Sequence, residues 1–307
     1  MNMKIYAFHG PGSLLSNTSR DRKGDESTMN IGIRLHDTAP GTLAQRLGFA
    51  KAQGFSCAHL AMSKAVEGFS MGDAPRLLDE ALAERVRGDF AAQGMACAVL
   101  GCYLSLATPD EEERRRTQEI YRAHLRFGRM IGAGVIGTET PAGKGASFPE
   151  PPWQSEEAFQ LFIDSVRPVA RWAEEEDVIL AIEPVYRHII STPERAERML
   201  EAIGSDHVQI ILDAVNLLSP EQAGSAEAVV EDAIRRLGDW VRVLHMKDFN
   251  LVDGEMEACA CGTGSMRYEQ LLRLGKVRNL PMTLENTVPD NAEAARLHLE
   301  NIASQIK

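Results

Sequence analysis

The 307 residues are 44% hydrophobic and 25% charged, the balance of an ordinary globular chain and not of a disordered or collagen-like one. A net charge of -11 disfavours nonspecific binding to nucleic acid or to an anionic membrane, and no apolar run approaches the ~20 residues that cross a bilayer. Five cysteines (Cys57, Cys97, Cys102, Cys259, Cys261) are an odd set with no disulfide framework, and Gly-Pro-Gly interrupts the apolar start before a signal-peptide core can form, so the expectation is a cytoplasmic protein.

Residues 1–28 fit no element well; they are expected to be a mostly disordered extension, with a short extra strand at 3–8 as the alternative. From Ile31 the chain alternates strand and helix. A strand at 31–35 is followed by a helix at 43–53, a strand at 56–61 and a helix at 75–93. A third strand, 96–104, leads to Thr108-Pro109-Asp110-Glu111, which predicts a Thr N-cap, Pro at the first helical position and a capping box for a helix running to 131. A strand at 134–139 precedes a Pro- and Gly-rich segment, 141–153, expected to form a lid. Helices are expected at 155–175, 192–203, 225–237, 267–274 and 291–305, alternating with strands that end at Glu183, Asp213, about Lys247 and Glu285. Eight such units without a composition break predict one domain, 29–307, with an α/β fold: a (β/α)8 TIM barrel, for which about 250 residues suffice.

The last four strands carry the chemistry. Val178-Ile-Leu-Ala-Ile-Glu183, Val208-Gln-Ile-Ile-Leu-Asp213, Val241-Arg-Val-Leu-His245 and Pro281-Met-Thr-Leu-Glu285 each end in a residue able to bind a metal. They recur roughly every 30 to 40 residues, the length of one strand-helix unit. In each, an apolar residue (Ile182, Leu212, Leu244, Leu284) precedes the polar one. Side chains alternate across a strand, so if the apolar residue faces a helix, Glu183, Asp213, His245 and Glu285 face the barrel axis and converge at one mouth. Alone, each acid reads as a loop cap and the His as a structural one; the shared phase of all four favours a metal site. Three carboxylates and one imidazole suit one divalent ion of Mn, Mg or Co type over a thiolate zinc site. Cys259-Ala-Cys261 reads either as a metal or redox pair or, preferably, as two reduced thiols in a loop.

The segments Ile182-Glu183-Pro184, Leu212-Asp213-Ala214-Val215-Asn216, His245-Met246-Lys247-Asp248, Gly262-Thr263-Gly264 and Leu284-Glu285-Asn286 resemble the xylose-isomerase-like TIM-barrel superfamily of sugar isomerases and epimerases, inosose dehydratase and endonuclease IV. The resemblance covers roughly residues 29–307. It implies a Glu, Asp, His, Glu metal quartet on strands five to eight (Mn first, with Mg, Co or Zn as alternatives) that polarises a carbonyl and stabilises an enediolate. It also implies that Glu183 and Glu285 act as the catalytic pair on opposite faces of the sugar; the alternative is that both are ligands only and another residue is the base. A homo-oligomer is expected by family analogy alone.

Further residues are candidates for the substrate pocket. Lys247 shares the inward face if its strand continues; it then contacts substrate, or pairs with Asp248 or a neighbour. His188, five after Glu183, contacts substrate or is solvated, and Asn216 binds substrate or holds the Asp213 loop. Glu139 and Tyr103 close strands four and three and either line the pocket or pack; His36 and His59 are lesser candidates, and Gly262-Thr263-Gly264 by itself is a turn. The chain departs from the ketose 3-epimerases at three places, with Ile189 near a Glu position, Asn216 at a His position and Leu251 at an Arg position. These departures argue against ketose 3-epimerisation in particular, and the acidic charge with the missing histidines argues against a DNA-repair endonuclease. The expected function is a divalent-metal-dependent isomerase or epimerase of a small sugar, keto-sugar or cyclic polyol. The alternatives are a dehydratase or keto-glycoside lyase using the same enolate chemistry, and a non-catalytic sugar-binding or accessory subunit.

Overall fold

Short runs of alternating phase, each followed by a helix long enough to return the chain, produce parallel strands with right-handed crossovers. In the computed structural model, which describes residues 29–140 and 152–306, eight such strands close into a barrel. They are β1 (Ile31–Arg34), β2 (Cys57–Leu60), β3 (Ala96–Gly101), β4 (Val135–Glu139), β5 (Leu180–Glu183), β6 (Val208–Asp213), β7 (Val241–Met246) and, after a hairpin of β8 (Asp248–Val252) and β9 (Glu255–Cys259), β10 (Met282–Leu284). All barrel pairs are parallel, and β10 closes the ring between β7 and β1. The extension at 1–28 lies outside the described residues, as does the expected lid except for its end, a 3-10 turn at Pro152–Gln154.

The helices are α1 (Leu43–Ala52), α2 (Met62–Ala65), α3 (Ala74–Leu77), α4 (Glu80–Gln93), α5 (Glu111–Ile131), α6 (Glu156–Glu176), α7 (Pro193–Ile203), α8 (Ala226–Leu237), α9 (Glu269–Arg278) and α10 (Ala292–Gln305). The expected helix at 75–93 is two helices: Asp79 accepts from the Leu82 N–H and starts α4 anew. The predicted Thr108 cap is also displaced. Asp110 caps α5 by accepting from Glu113 N at 2.7 Å, while the Thr108 hydroxyl reaches the Glu113 side chain. An ionised carboxylate at the helix start is the stronger acceptor for a free N–H.

Two apolar layers separate the two faces of the strands. Ile182, Leu212, Leu244 and Leu284 belong to the outer layer, packed under the helices. Cys57, Val99, Val135, Ala181, Ile211 and Val243 form a second, smaller cluster. These residues sit two positions before His59, Gly101, Gly137, Glu183, Asp213 and His245 on the same strand faces, so they plug the barrel beneath the residues at its C-terminal mouth.

The hairpin β8–β9 was not expected. Its strands read Asp-Phe-Asn-Leu-Val and Glu-Met-Glu-Ala-Cys, with little apolar run to mark them, but Asp253-Gly254 between them is a two-residue turn signal, and both take positive φ, 51° and 84°. Asp248 anchors it: its carboxylate accepts from the backbone N–H groups of Phe249, Gly262, Gly264 and Met266 at 2.7 to 3.0 Å. The Gly262-Thr263-Gly264 turn closes around that carboxylate. A Cβ on Gly264 would stand 2.3 Å from the Phe249 carbonyl oxygen, so only glycine fits.

Candidate functional site

Glu183, Asp213 and His245 end β5, β6 and β7, and Glu285 follows β10 by one residue. Register places Asp213 beside His245 and Glu139 beside Glu183. All four quartet residues are buried. His245 Nδ1 lies 3.0 Å from Glu183 Oε2 and 3.3 Å from Glu285 Oε1, so one imidazole separates the two glutamates. Lys247, two residues further along, stays on the inward face; its Nζ is 3.0 Å from Asp213 Oδ2 and 3.4 Å from Glu285 Oε2. Arg34, from β1, brings Nη1 to 3.5 Å from Glu285 Oε2 while it pairs with Asp37.

Several donor atoms in this ring are left over. His245 Nδ1 faces the two glutamates, its Nε2 and both nitrogens of His59 have no hydrogen-bond partner, and Asp213 Oδ2 is met by the Lys247 ammonium. Buried polar atoms are nearly always satisfied, so buried carboxylates gathered around imidazole nitrogens that lack hydrogen bonds form a cradle suited to a cation. Ligand atoms of Glu183, Asp213 and His245 lie within 4.8 Å of one another, and so do those of His59, His245 and Glu285. The two groups share His245. Among the described residues no cysteine joins either group, and Cys259 and Cys261 are free thiols. Burial, above all, pushes the Cys261 thiol far up, which makes it a poor redox group.

Electrostatics follow from burying this many charges together. Burial works against a charge on His245, but Glu285 and Glu183 outweigh it and raise the imidazole to about 9. Burial opposes the charge on Lys247 too, and Asp213 and Glu285 more than compensate, so it stays protonated. Glu285 is likewise desolvated, yet His245, Lys247 and Arg34 hold it well below the usual carboxylate range. Burial lifts Asp213 to about 6 against the pull of Lys247. At the rim, burial and then the charges of Glu183 and Glu285 push Glu139 up to about 8.

The other expected residues gather on one cavity of about 490 Å³ at the mouth, lined by Tyr103, Glu139, His188, Asn216, Lys247 and Glu285 among others. Asn216 holds the loop: its backbone N–H donates to Asp213 Oδ1 at 3.0 Å and its Nδ2 to Glu183 Oε1 at 2.5 Å. His188 is not solvated; it is half-buried with Nδ1 3.6 Å from Glu139 Oε2. Lys247 pairs with Asp213 and Glu285, not with Asp248. Tyr103 tilts against His59 at 5.6 Å, with a buried, unpartnered hydroxyl, in space that Gly101 leaves open: a Cβ there would stand 2.7 Å from the Tyr103 ring. His59 stacks on His245 at 5.4 Å and His36 lines the same wall, so these lesser candidates sit on the site itself. Arg34, Lys64 and Asn286 also line it and were not singled out from the sequence; Arg34 had a signal, since it lies two after Gly32 on the inward face of β1.

Comparison with known proteins agrees with this architecture. The family described as "Xylose isomerase-like TIM barrel" matches residues 47–303. A D-psicose 3-epimerase of Enterocloster bolteae is 31% identical over 112 residues, which span 36% of this chain and only 33% of that enzyme. Among solved structures, 3-keto-D-glucoside 4-epimerase from E. coli superposes with TM-score 0.68 at 19% identity, covering 89% of this chain and 100% of that one. D-psicose 3-epimerase from Clostridium cellulolyticum H10 gives 0.68 at 15%, covering 90% and 99%. A xylose isomerase-like barrel from Mycobacterium smegmatis, solved with magnesium, gives 0.67 at 17%, covering 92% and 98%. At these identities the superpositions establish the fold alone. No helix among the described residues is long and apolar enough to cross a membrane.

Proposed function

Because this chain belongs to the xylose isomerase-like TIM barrel family, we propose that it is a divalent-metal-dependent isomerase or epimerase acting on a small sugar, keto-sugar or cyclic polyol. One observation carries the reading. Three carboxylates and an imidazole, spaced along four strands, crowd together and buried at a single barrel mouth, with His245 Nε2 left without a hydrogen-bond partner. The set fits a hard divalent cation, Mn first and Mg, Co or Zn as alternatives, held by Glu183, Asp213, His245 and Glu285. When bound, such an ion supplies a Lewis acid for a substrate carbonyl.

The chain's own groups do the rest. Glu183 and Glu285 approach His245 from two sides, so a sugar lying over the mouth meets a carboxylate on either face; one removes the proton next to the carbonyl and the other returns it. Lys247 and Arg34 carry positive charge beside Glu285, where negative charge builds up on the substrate oxygens. Asn216 fixes the Glu183 carboxylate, which limits the directions it can reach. Proteins of this fold named as psicose, tagatose and keto-glucoside epimerases make a carbohydrate substrate the natural first choice.

Elimination from the same enolate is the second reading. It is favoured by Glu139, whose carboxyl, pushed up to about 8 at the rim beside His188, keeps a proton available for a leaving group at neutral pH. The test is elemental analysis of the purified protein beside Glu285→Gln and His245→Ala, followed by sugar turnover in deuterium oxide read by NMR. One metal per chain, lost in the variants, and deuterium incorporated next to the carbonyl support the reading. Release of water or an aglycone selects elimination. Absence of bound metal and of turnover with every divalent ion leaves a sugar-binding or accessory subunit.

A further inference from the structure

The quartet of Glu183, Asp213, His245 and Glu285 does not use every ligand atom buried at the barrel mouth. His59 lies near the end of β2, two residues after Cys57 of the inner plug, and therefore on the inward face. It is 2% exposed, and neither of its ring nitrogens has a hydrogen-bond partner. The ring sits between Tyr103 and His245, with centroids 5.6 and 5.4 Å away, and is close to parallel with His245 at 18°. The backbone makes room for it. The register between β2 and β3 shifts between Ala58 and His59, and a Cβ on Gly101 would stand 2.9 Å from His59 Nε2.

A role as a stacked spacer accounts for the ring but not for its nitrogens. Phe would fill the same space without stranding two polar atoms, and buried polar groups are nearly always satisfied. A second observation points to what satisfies one of them. Ligand atoms of His59, His245 and Glu285 lie within 4.8 Å of one another, a group as tight as that of Glu183, Asp213 and His245. Donor atoms on opposite sides of one ion stand about 4 Å apart, because each bond is about 2.0 to 2.2 Å long, so either group is a small side-chain adjustment from closing on an ion. The two groups share His245, and a neutral imidazole has one lone pair to give, so His245 serves a single ion. Glu183 Oε2 and Glu285 Oε1 meet at the same atom of it, Nδ1, at 3.0 and 3.3 Å, which gathers the acids of both groups at one point.

We propose that His59 is a fifth ligand of the divalent ion, joining Glu183, Asp213, His245 and Glu285. The inference rests on the metal-site reading above and narrows the choice of ion. A second imidazole in place of water suits the borderline ions Co²⁺ and Zn²⁺. It suits Mg²⁺ least, since that ion takes oxygen donors and gives up its waters reluctantly.

The test uses the full chain, stripped with chelator and reloaded. Electron spin-echo envelope modulation of the Mn²⁺ form counts the imidazoles bound to the ion, and the wild type is expected to show two. His59→Phe keeps a ring against Tyr103 and His245 but has no lone pair to give. It is expected to show one imidazole and to bind Co²⁺ about a hundredfold more weakly by calorimetry, the upper end of the cost of losing even an outer partner of a metal ligand, with a much smaller loss for Mg²⁺. His36→Phe, on the same wall but in neither ligand group, is expected to leave both affinities as in the wild type. A single imidazole on the wild-type Mn²⁺ overturns the inference and leaves the quartet standing, and so does wild-type Co²⁺ affinity in His59→Phe. Two ions per chain by elemental analysis, one of them lost in His59→Phe, put His59 on a separate ion and overturn it as well. The wild-type imidazole count decides by itself should His59→Phe fail to fold by circular dichroism. Absence of any bound divalent ion in the wild type overturns the metal-site reading itself and this inference with it.

Discussion

Replacing Lys247 by Met is the sharpest probe of how the mouth is held together. The ammonium is 6% exposed and stands 3.0 Å from Asp213 Oδ2 and 3.4 Å from Glu285 Oε2. Removing one partner of a buried pair costs about 3 to 5 kcal/mol, because the charges left behind stay desolvated without compensation. Here the lower end applies. Glu285 keeps Arg34 at 3.5 Å, and Asp213 keeps the N–H groups of Val215 and Asn216 at 2.9 and 3.0 Å. The expected loss is therefore about 3 kcal/mol in chelator at pH 7.5, or roughly 5 °C in Tm for a chain of this size. The sign with pH follows from which state takes up protons. Without the ammonium the buried carboxylates of the folded variant protonate more readily, so the deficit shrinks as pH falls toward 5.5. Excess Mn²⁺ narrows it too if the carboxylates take up the ion, and Lys247→Arg restores part of it. The assay is urea unfolding followed by circular dichroism at both pH values, with chelator and with Mn²⁺. A Lys247→Met variant as stable as the wild type in chelator at pH 7.5 would falsify the view that this cation offsets the buried acids.

Three further outcomes are expected. Divalent metal at a hundred times its Kd stabilises the folded chain by about 2.7 kcal/mol, so Mn²⁺ raises Tm and chelator reverses it, while Glu183→Gln abolishes the response; an equal response in that variant places the ion elsewhere. Asp248→Ala strands the amides of Phe249, Gly262, Gly264 and Met266, at about 1 to 3 kcal/mol for a buried donor left bare, and opens the β8–β9 hairpin to limited proteolysis; a cleavage pattern matching the wild type refutes the anchor. His124, fully buried with Nδ1–H donating to the Ile120 carbonyl at 2.8 Å, is held neutral by that burial, its pKa lowered from 6.5 to about 4. Its depressed pKa means that the unfolded chain takes up the proton first, so this contribution is complete above pH 6.5 and is lost as pH falls toward 4, by roughly 3 kcal/mol in all. Urea midpoints of the wild type and His124→Gln, compared at pH 7.5 and 4.5, should converge on acidification, and a constant gap removes His124 from the acid response.

Legibility differed by the range over which each feature is decided. The order of strands and helices and the inward phase of Glu183, Asp213, His245 and Glu285 are local properties, written in period-two alternation and in spacing that one strand-helix unit sets. Ile182, Leu212 and Leu244 lie under helices as their positions demand, and the residues one step on point to the axis. Helix caps are local as well, yet Thr108 and Asp110 compete for the same donors, and the choice of Asp110 turned on which side chain reaches Glu113 N. The hairpin was missed because its two strands carry no sustained apolar run, although Asp253-Gly254 marked its turn.

By itself, then, the sequence determined the barrel, the identity of the residues at four strand ends and the face on which they lie. The tertiary structure alone decided what stands opposite them. Arg34 and His59 come from the first two strands and meet Glu285 and His245 because β10 closes the ring against β1. The division of candidate ligand atoms into two overlapping groups about His245 and the raised carboxyl of Glu139 beside His188 both depend on distances between segments far apart in the chain. Alternation along a strand fixes direction, but only closure of the barrel fixes neighbours, and burial, charge and cavity shape are properties of neighbours.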